Sequence, residues 1–543
     1  MKPITVPDKC AEFDELFVVS DLHLGGEPGL QLFAAGEEFD RWVTEIVLPA
    51  LRPKRGRRPR RVAIVINGDF VDFLADPEAR SANAPFFNPD LARRMLPRLV
   101  ADPNFAPVFS ALRKFVQEPG ASLIITLGNH DLELAVPGVQ RQLLDLIALN
   151  DHDARGRIQL RMEENGFICR VGSDAVWCVH GNSDDPWNRV DRRELESAVA
   201  ASSAEAGKSG WKPNPGTQLV MQMLNHVKAD YRFAELLKPE NQAVPPLLLM
   251  LAPEHRLRIE SALGAVAFKI RNSLKSWFTS LLGAEECLQM SGRPAAEQPA
   301  LELLCAMLCR PHDSFRFDAD GDAAELLFRA HSSVVAKLQH PQRRRLAGGQ
   351  PRPFSRQGQG SSSSAGSGTN EERLLGWWKA FVRASGSGTE TEVIQAFLEE
   401  LQQYRGFDET SPCDTQYRAF AEDFGDVALS QPGNSDPVIR FPSVVITGHT
   451  HQARASLPLG RYAEAMYFNS GTWAQVMRIP PEVISDPREL EALVKKLRQP
   501  GNAELMNDDH LVWSPKTYVR VQTGAQGKAV AELKAFGEPG IMP

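Results

Sequence analysis

Five short blocks, spread over most of the 543-residue chain, combine the residue types that bind metal ions. Each block sets aspartate, histidine or asparagine beside a glycine, which lets the backbone turn sharply where ligands must converge. The blocks are residues 20–25 (SDLHLG), 67–72 (NGDFVD), 127–131 (LGNHD), 179–182 (VHGN) and 447–451 (TGHTH). Any one of them could arise by chance, but five in one chain point to a single shared site.

The metal-binding candidates in these blocks supply oxygen and nitrogen but no thiolate. They are Asp21, His23, Asp69, Asn129, His180, His449 and His451. Such a set suits two divalent ions, Mn²⁺ first with Fe or Zn²⁺ as alternatives, rather than a cysteine-rich structural zinc. One aspartate can bridge two cations about 3.5–4 Å apart, and the pair lowers the pKa of a bridging water from ~15.7 towards ~7. The set therefore predicts a metal-dependent phosphoester hydrolase with a metal-bridging hydroxide as nucleophile.

Each block follows a short apolar run, which predicts a buried strand. The runs are residues 16–19, 62–66, 123–127, 175–179 and 444–446, and residues 465–468 predict a sixth strand. Helical patterns at 36–51, 91–100, 108–117 and 139–149 fall between the strands. Loops at the carboxyl ends of strands converge in layered α/β folds, so the predicted elements would bring the blocks together.

The strand pattern stops between about residues 191 and 430, where the segments look helical. A chain of this length exceeds one typical domain. We predict a core built from residues 1–190 and 431–543, separated by a helical insertion at 191–430. Residues 348–369, rich in serine and glycine, are predicted to be a flexible linker because they cannot bury enough apolar surface to fold.

Together the five blocks resemble the signature of the calcineurin-like metallophosphoesterase superfamily. The pattern is Asp-x-His, Gly-Asp-x-x-Asp, Gly-Asn-His-Asp, His-Gly and Gly-His-x-His, and it covers roughly residues 14–190 and 440–475. The resemblance implies a four-layer α/β/β/α core, while the alternation of strands and helices comes from the sequence itself. It covers nothing in the helical insertion.

The resemblance also implies a role for each candidate. One metal would be bound by Asp21, His23, Asp69 and His451, and the other by Asp69, Asn129, His180 and His449. Asp69 would bridge the two ions. His130 would act as general acid or phosphate stabiliser, and Asp131 would orient the His130 ring.

The blocks also bear on the substrate. Phe73 and Leu74 stand where protein phosphatases of the superfamily usually have Arg-Gly, and Asp131 replaces their usual glutamate, which argues against a protein phosphatase. The opening blocks are more similar to bacterial UDP-diacylglucosamine pyrophosphatases. We therefore expect hydrolysis of a phosphodiester or pyrophosphate bond in a small-molecule or nucleotide-linked substrate. The mixed apolar and basic residues 265–282 could make peripheral contact with a membrane or cover a lipid, although a helix packed within the insertion is favoured.

Two alternatives stay open. The dense basic run Arg52–Arg61 could hold phosphates of DNA or RNA, which would make the protein a nuclease, but a solvated loop explains the run as well. A non-catalytic, partner-binding scaffold is the alternative of another class. A formal net charge of −7 argues against wholesale nucleic-acid coating.

The remaining composition indicates an intracellular protein. Seven widely spaced cysteines do not form a disulfide framework. The start of the chain lacks an apolar signal core, and no apolar run approaches the roughly 20 residues of a membrane span. We predict a cytoplasmic location; the sequence leaves the oligomeric state open.

Overall fold

A computed structural model gives the structure of the chain. It describes residues 6–7, 10–53, 59–80, 84–185, 187–203, 211–238, 442–459, 465–501 and 503–537, and isolated positions between 244 and 421. Two compact units are present, one comprising Met1–Val244, Tyr404–Pro480 and Lys495–Pro543, the other Pro245–Gln403 and Pro481–Val494. The linker at 348–369 and the segment 265–282 lie outside the described residues, and the predicted division at 190 and 430 stays a prediction.

Fourteen strands are described. They are β1 (Ala11–Phe13), β2 (Glu15–Val19), β3 (Val62–Asn67), β4 (Ala121–Thr126), β5 (Ile158–Arg161), β6 (Phe167–Val171), β7 (Asp174–Cys178), β8 (Val444–Thr447), β9 (Arg454–Leu459), β10 (Ala465–Asn469), β11 (Val476–Met477), β12 (Val512–Trp513), β13 (Thr517–Thr523) and β14 (Ala529–Ala535). β11 and β12 form a small antiparallel pair, and the others form two six-stranded sheets.

Both sheets draw strands from the two ends of the chain. The first sheet has the order β14-β13-β2-β3-β4-β5, in which β2 to β5 are parallel and β13 is antiparallel to β2. The second has the order β1-β6-β7-β8-β10-β9, in which β7, β8 and β10 are parallel. The parallel strands that precede the five blocks are therefore neighbours within each sheet.

Of the thirteen α-helices whose bounds the structure describes, the first six follow strands of the first sheet, the next four follow β7 and the last three follow β11. These thirteen helices are α1 (Gly36–Trp42), α2 (Leu48–Leu51), α3 (Pro89–Ala101), α4 (Ala106–Gln117), α5 (Pro137–Ala148), α6 (His152–Gly156), α7 (Arg192–Ser203), α8 (Pro215–Leu219), α9 (Asn225–Val227), α10 (Phe233–Leu236), α11 (Pro481–Ser485), α12 (Pro487–Arg498) and α13 (Ala503–Met506). A π-helical turn, Val43–Val47, joins α1 to α2, and another, Val220–Leu224, joins α8 to α9. Proline begins α3 and α5, where its missing N–H costs no helical hydrogen bond.

Side-chain alternation along the first sheet separates two apolar cores. One set of side chains packs under α1, α3, α4 and α5 and includes Phe17, Val19, Ile64, Ile66, Leu123 and Ile125. The alternate set faces the second sheet and includes Leu16, Val18, Ala63, Val65 and Ile124. Because successive strand residues point to opposite faces, one strand serves both cores.

The far face of the second sheet is covered as well. Tyr467 and Trp177 pack there against Phe420, which is helical, as are the described positions 417 and 421. The order of layers in this unit is helices, sheet, sheet and helix. The structure confirms the α/β prediction, and all six predicted strands are present. The other eight described strands were not predicted, among them β13 and β14, which extend the first sheet beyond β2.

The described part of the chain contains no helix long and apolar enough to cross a membrane.

Glu15, at the start of β2, forms partly buried ion pairs whose contribution to the stability of the first sheet can be measured. Its side chain is fully buried, and its two oxygens accept hydrogen bonds from Arg60 (2.7 Å) and Arg520 (2.5 Å). We expect Glu15→Ala to lower the free energy of unfolding by about 1–3 kcal/mol, because both guanidinium groups lose a charged partner but remain partly solvated. Urea unfolding followed by circular dichroism measures the change.

The matched control is Glu12→Ala. Glu12 pairs with Arg61 at the surface, where both side chains are exposed, so its loss should change the free energy of unfolding by less than about 0.5 kcal/mol. Equal destabilisation by the two substitutions would contradict a structural role for the Glu15 cluster.

Candidate metal centre

The five blocks lie at one edge of the two sheets, each just past a strand end. Asp21 and His23 follow β2, Asp69 follows β3, and Asn129 follows β4 in the first sheet. The fourth and fifth blocks follow β7 and β8, which are neighbours in the second sheet. Since parallel strands end at the same edge, the blocks meet there.

Asn67, the last residue of β3, joins the two sheets at this edge. Its side-chain amide donates to the backbone oxygens of Val179 (2.9 Å) and Ile446 (3.2 Å), at the ends of β7 and β8. Its side-chain oxygen accepts from the Thr126 hydroxyl at the end of β4. A single buried amide therefore holds four strand ends in fixed positions.

Five of the seven candidate ligands have the same strained backbone conformation. Asp21, His23, Asp69, His449 and His451 all have positive φ, between 49° and 70°. Residues other than glycine adopt this left-handed backbone conformation at a cost of order 1–3 kcal/mol each, and they keep it only where the surrounding structure enforces it. These five backbone conformations therefore lower the stability of the fold, and they fix the directions of the five side chains.

The first group of donors consists of Asp21, His23 and His451, all buried. The Nε2 atoms of the two histidines lie 3.0 Å apart, and His451 Nε2 lies 3.4 Å from Asp21 Oδ1. Two imidazole nitrogens that face each other beside a carboxylate are well placed to share a cation.

The second group consists of Asp69, His180 and His449, with Asn129 beside it. His180 Nε2 lies 3.2 Å from both Asp69 Oδ2 and Asn129 Oδ1. Asp69 Oδ2 also lies 3.7 Å from His23 Nε2 in the first group, whereas Asp69 Oδ1 accepts the backbone N–H of His130. One carboxylate oxygen is therefore within reach of both groups, and their nitrogen and oxygen donors are of the kinds that divalent metal ions bind.

The Asp69 carboxylate and the nearby His180 ring shift each other's pKa values. Burial alone would raise the pKa of Asp69, but His180, His130 and His23 together hold it well below its usual value. Burial would lower the pKa of His180, yet the Asp69 carboxylate outweighs this effect and raises it to about 9. Asp69 is thus an anion, and its Oδ2 lies beside a histidine of each group.

The ring of His180 is fixed by a hydrogen bond to a backbone oxygen, a partner that the sequence could not predict. Its Nδ1 lies 3.0 Å from the backbone oxygen of Asn67, so Nδ1–H donates there and Nε2 is directed to Asp69. A ligand histidine commonly uses its second nitrogen in this way to fix the ring and its tautomer. No residue-type signal could have identified a backbone oxygen in this role.

The expected role of Asp131 is wrong. Its two carboxylate oxygens accept the backbone N–H groups of Gly128 (2.8 Å) and Phe70 (2.9 Å), so it does not orient the His130 ring. These buried N–H groups would otherwise lack an acceptor, which explains why the side chain turns beneath its own loop. Burial and the nearby Asp69 charge raise the pKa of Asp131 to about 7.

The carboxylate beside His130 belongs instead to Asp72. Asp72 Oδ1 lies 3.2 Å from His130 Nδ1, and Asp72 Oδ2 lies 3.2 Å from His23 Nδ1. Burial would raise the pKa of Asp72, but the two histidines hold it well below its usual value. Asp72 also accepts the Ala75 N–H, so it caps the short helical turn Phe73–Ala75 as well as contacting the two histidines.

Gly128 is the position where a side chain would most directly disturb the centre. A Cβ atom on Gly128 would collide with Asp69 Oδ1 and the Asp69 backbone nitrogen. We expect Gly128→Ala to weaken metal binding by roughly 10–100-fold, because Asp69 must shift. Calorimetric titration of the metal-stripped protein with Mn²⁺ measures this affinity.

Gly138→Ala serves as its control. Near that position a Cβ atom would meet only Arg93 Nη1, at 3.7 Å, and the residue lies in α5. Its substitution should leave Mn²⁺ affinity unchanged. Wild-type affinity in Gly128→Ala would mean that Asp69 does not need its present position to bind metal.

The basic run lies at the other end of β3 from the metal centre. Arg60 and Arg61 precede this strand of six residues, whereas Asp69 follows it, a separation of about 20 Å along the strand. Arg60 is paired with Glu15 and Arg61 with Glu12. Residues 54–58 of the run lie outside the described residues.

Residues 15–235 match the sequence model of the family described as calcineurin-like phosphoesterase. This range contains the first four blocks and ends before the fifth, which β8 brings to the same edge of the sheets. No curated protein and no solved structure shows significant similarity to the chain. The match confirms the resemblance at the level of the superfamily, while the narrower similarity to UDP-diacylglucosamine pyrophosphatases stays a prediction.

Proposed function

We propose that this chain, whose residues 15–235 form a calcineurin-like phosphoesterase domain, uses two divalent cations to hydrolyse a phosphodiester or pyrophosphate bond. The domain itself indicates a metal-dependent phosphoesterase, and the described residues include groups that could hold metal ions. The proposal adds the number of ions, the kind of bond and a small-molecule or nucleotide-linked substrate.

The observation that carries the proposal is the position of Asp69 Oδ2. It lies between His180 Nε2 (3.2 Å) and His23 Nε2 (3.7 Å), which belong to different donor groups. A bridging carboxylate is the feature that distinguishes a two-metal site from two separate ones. We assign one ion to Asp21, His23, Asp69 and His451, and the other to Asp69, Asn129, His180 and His449.

The donor set favours Mn²⁺, with Fe or Zn²⁺ as alternatives, because it mixes carboxylate, amide and imidazole without thiolate. Two such cations, when bound, would polarise a phosphoryl oxygen and lower the pKa of a water molecule so that hydroxide, the nucleophile, is available near neutral pH. His130 is placed to give a proton to the leaving oxygen, since its ring lies beside His23 and its Nδ1 faces Asp72. An imidazole held by a carboxylate is well suited to hold that proton until bond cleavage.

Two observations support a small substrate over a phosphoprotein or a nucleic acid. The two residues after Asp72 are the buried apolar Phe73 and Leu74, so that position offers no cation to a phosphoprotein. The described arginines of the basic run that adjoin β3 are paired with glutamates at the opposite end of the strand. They give no support to a nucleic acid that reaches the metal centre.

A panel of substrates tests the proposal. Metal-stripped protein refilled with Mn²⁺ is offered bis-(p-nitrophenyl) phosphate, p-nitrophenyl phosphate, a nucleoside-diphosphate sugar, and single- and double-stranded DNA. We expect turnover of the diester or the sugar nucleotide and not of DNA. DNA cleavage that fades when residues 52–61 are neutralised would identify a nuclease instead. No turnover by protein that holds two ions would favour a partner-binding scaffold.

A further inference from the structure

His449 has a carboxylate partner that lies outside the five blocks. Its Nε2 is 3.0 Å from Asp185 Oδ2, and His449 itself belongs to the donor group of Asp69 and His180. The His449 backbone N–H is fixed separately, by both oxygens of Asp21 (3.1 and 2.9 Å). The residue is thus held at its backbone by a ligand of one group and at its ring by Asp185.

Asp185 is rigidly placed for this contact. Its Oδ1 accepts the Trp187 backbone N–H (2.8 Å), and its Oδ2 accepts the Asn188 side-chain amide (2.7 Å). The ring of His449 completes the set at Oδ2. A carboxylate that already accepts two N–H groups is an acceptor only, so it favours the imidazole tautomer that carries its proton on Nε2.

We propose that Asp185 is a positioning residue, which directs Nε2–H of His449 to its own carboxylate and thereby presents Nδ1 to the second metal ion. This inference rests on the proposed two-metal function, since it concerns one ligand of that site. A carboxylate on the second nitrogen of a ligand histidine raises its basicity, and loss of such a partner typically costs 10–100-fold in metal affinity.

The loop that carries Asp185 is itself braced by a segment further along the chain. The Asn188 backbone oxygen accepts the side-chain amides of Asn182 (3.0 Å) and Asn214 (3.3 Å). The Gly216 backbone N–H donates to the Trp187 oxygen (2.7 Å), and a Cβ atom on Gly216 would collide with Asn188 Oδ1. The start of α8 therefore supports the ring of His449 through Asn188 and Asp185.

Two substitutions of Asp185 test whether it controls the tautomer of His449 or only supports the local structure. Asp185→Asn retains the shape and one oxygen, but an amide nitrogen placed toward His449 would donate to Nε2 and move the ring proton to Nδ1. Asp185→Ala removes the hydrogen-bond partner of His449 Nε2, so the ring can adopt either tautomer. A structural role predicts that asparagine is the milder change, whereas the positioning role predicts that asparagine is at least as damaging as alanine.

The experiment counts Mn²⁺ ions per chain after dialysis and measures Mn²⁺ affinity by calorimetry. We expect wild-type protein to bind two ions, and both variants to retain one ion and bind the second roughly 10–100-fold more weakly. Asp191→Asn is the control, since Asp191 accepts backbone N–H groups in the same way at the start of α7 without a histidine. It should bind both ions as wild type does.

The outcomes distinguish the two proposals. A wild-type protein that binds fewer than two ions contradicts the two-metal function itself. A wild-type protein with two ions, together with an Asp185→Asn variant that binds both as tightly, overturns only the role of Asp185. An asparagine variant with clearly higher affinity than the alanine variant reduces Asp185 to a structural residue.

Discussion

Asp69→Asn should lose both metal ions and hydrolyse its substrate at least about 10³-fold more slowly than wild type. An amide has one acceptor oxygen and no charge, so it cannot serve both donor groups as Asp69 does. In the structure Asp69 Oδ1 is already used by the His130 backbone N–H, and Oδ2 alone faces His180 and His23. Metal analysis of the dialysed variant and its rate with bis-(p-nitrophenyl) phosphate measure the two effects.

Asp76→Asn is a matched control for this substitution. Asp76 is a buried aspartate seven residues further on; it accepts the Glu78 N–H and pairs with Arg98, and it contacts none of the candidate ligands. This variant should keep both ions. An Asp69→Asn protein that still holds two ions per chain would contradict the bridging role.

His130→Ala should reduce the rate by roughly 10²–10⁴ without releasing metal, if His130 gives a proton to the leaving oxygen. Its side chain belongs to a donor group with His23 and Asp69, so metal retention is needed to separate an acid from a ligand. A general acid matters most for a leaving group of high pKa. We therefore expect a large loss with an alkyl ester and a smaller one with a p-nitrophenyl ester.

The exposed His152 at the start of α6 provides the control, and His152→Ala should behave as wild type. Loss of an ion from His130→Ala would make His130 a ligand. Full activity with both esters would remove it from the mechanism.

The sequence was sufficient to predict the strands that precede the blocks and the residues that meet at their ends. Short β-branched runs that end in glycine are a local signal, and parallel strands translate it into a common edge. β13 and β14 were not predicted, because their alternating and partly charged sequences carry a weaker apolar signal than the buried β2 and β3.

The supporting contacts could not be predicted in the same way. Asp131 follows His130 directly, yet its carboxylate satisfies the backbone of Gly128 and Phe70. Asp72 is distant in sequence from both histidines that it contacts. Proximity along the chain does not determine where a buried carboxylate turns; the unsatisfied N–H groups around it do.

The contact between Asp185 and His449 could not be predicted from the sequence either. Asp185 lies five residues after His180, in a stretch that also contains Asn182 and Arg189. Asn182 donates to the Asn188 backbone oxygen, and Arg189 donates to the Ser183 backbone oxygen. The partner of Asp185 is 264 residues away, and only the pairing of β7 with β8 brings the two together.

The most direct test of the two-metal account is a titration of metal-stripped protein with Mn²⁺, in which bound ions and hydrolysis of bis-(p-nitrophenyl) phosphate are measured on the same samples. We expect the rate to remain low up to one ion per chain and to reach its plateau at two. A plateau at one ion, or no hydrolysis with two ions bound, would contradict the account.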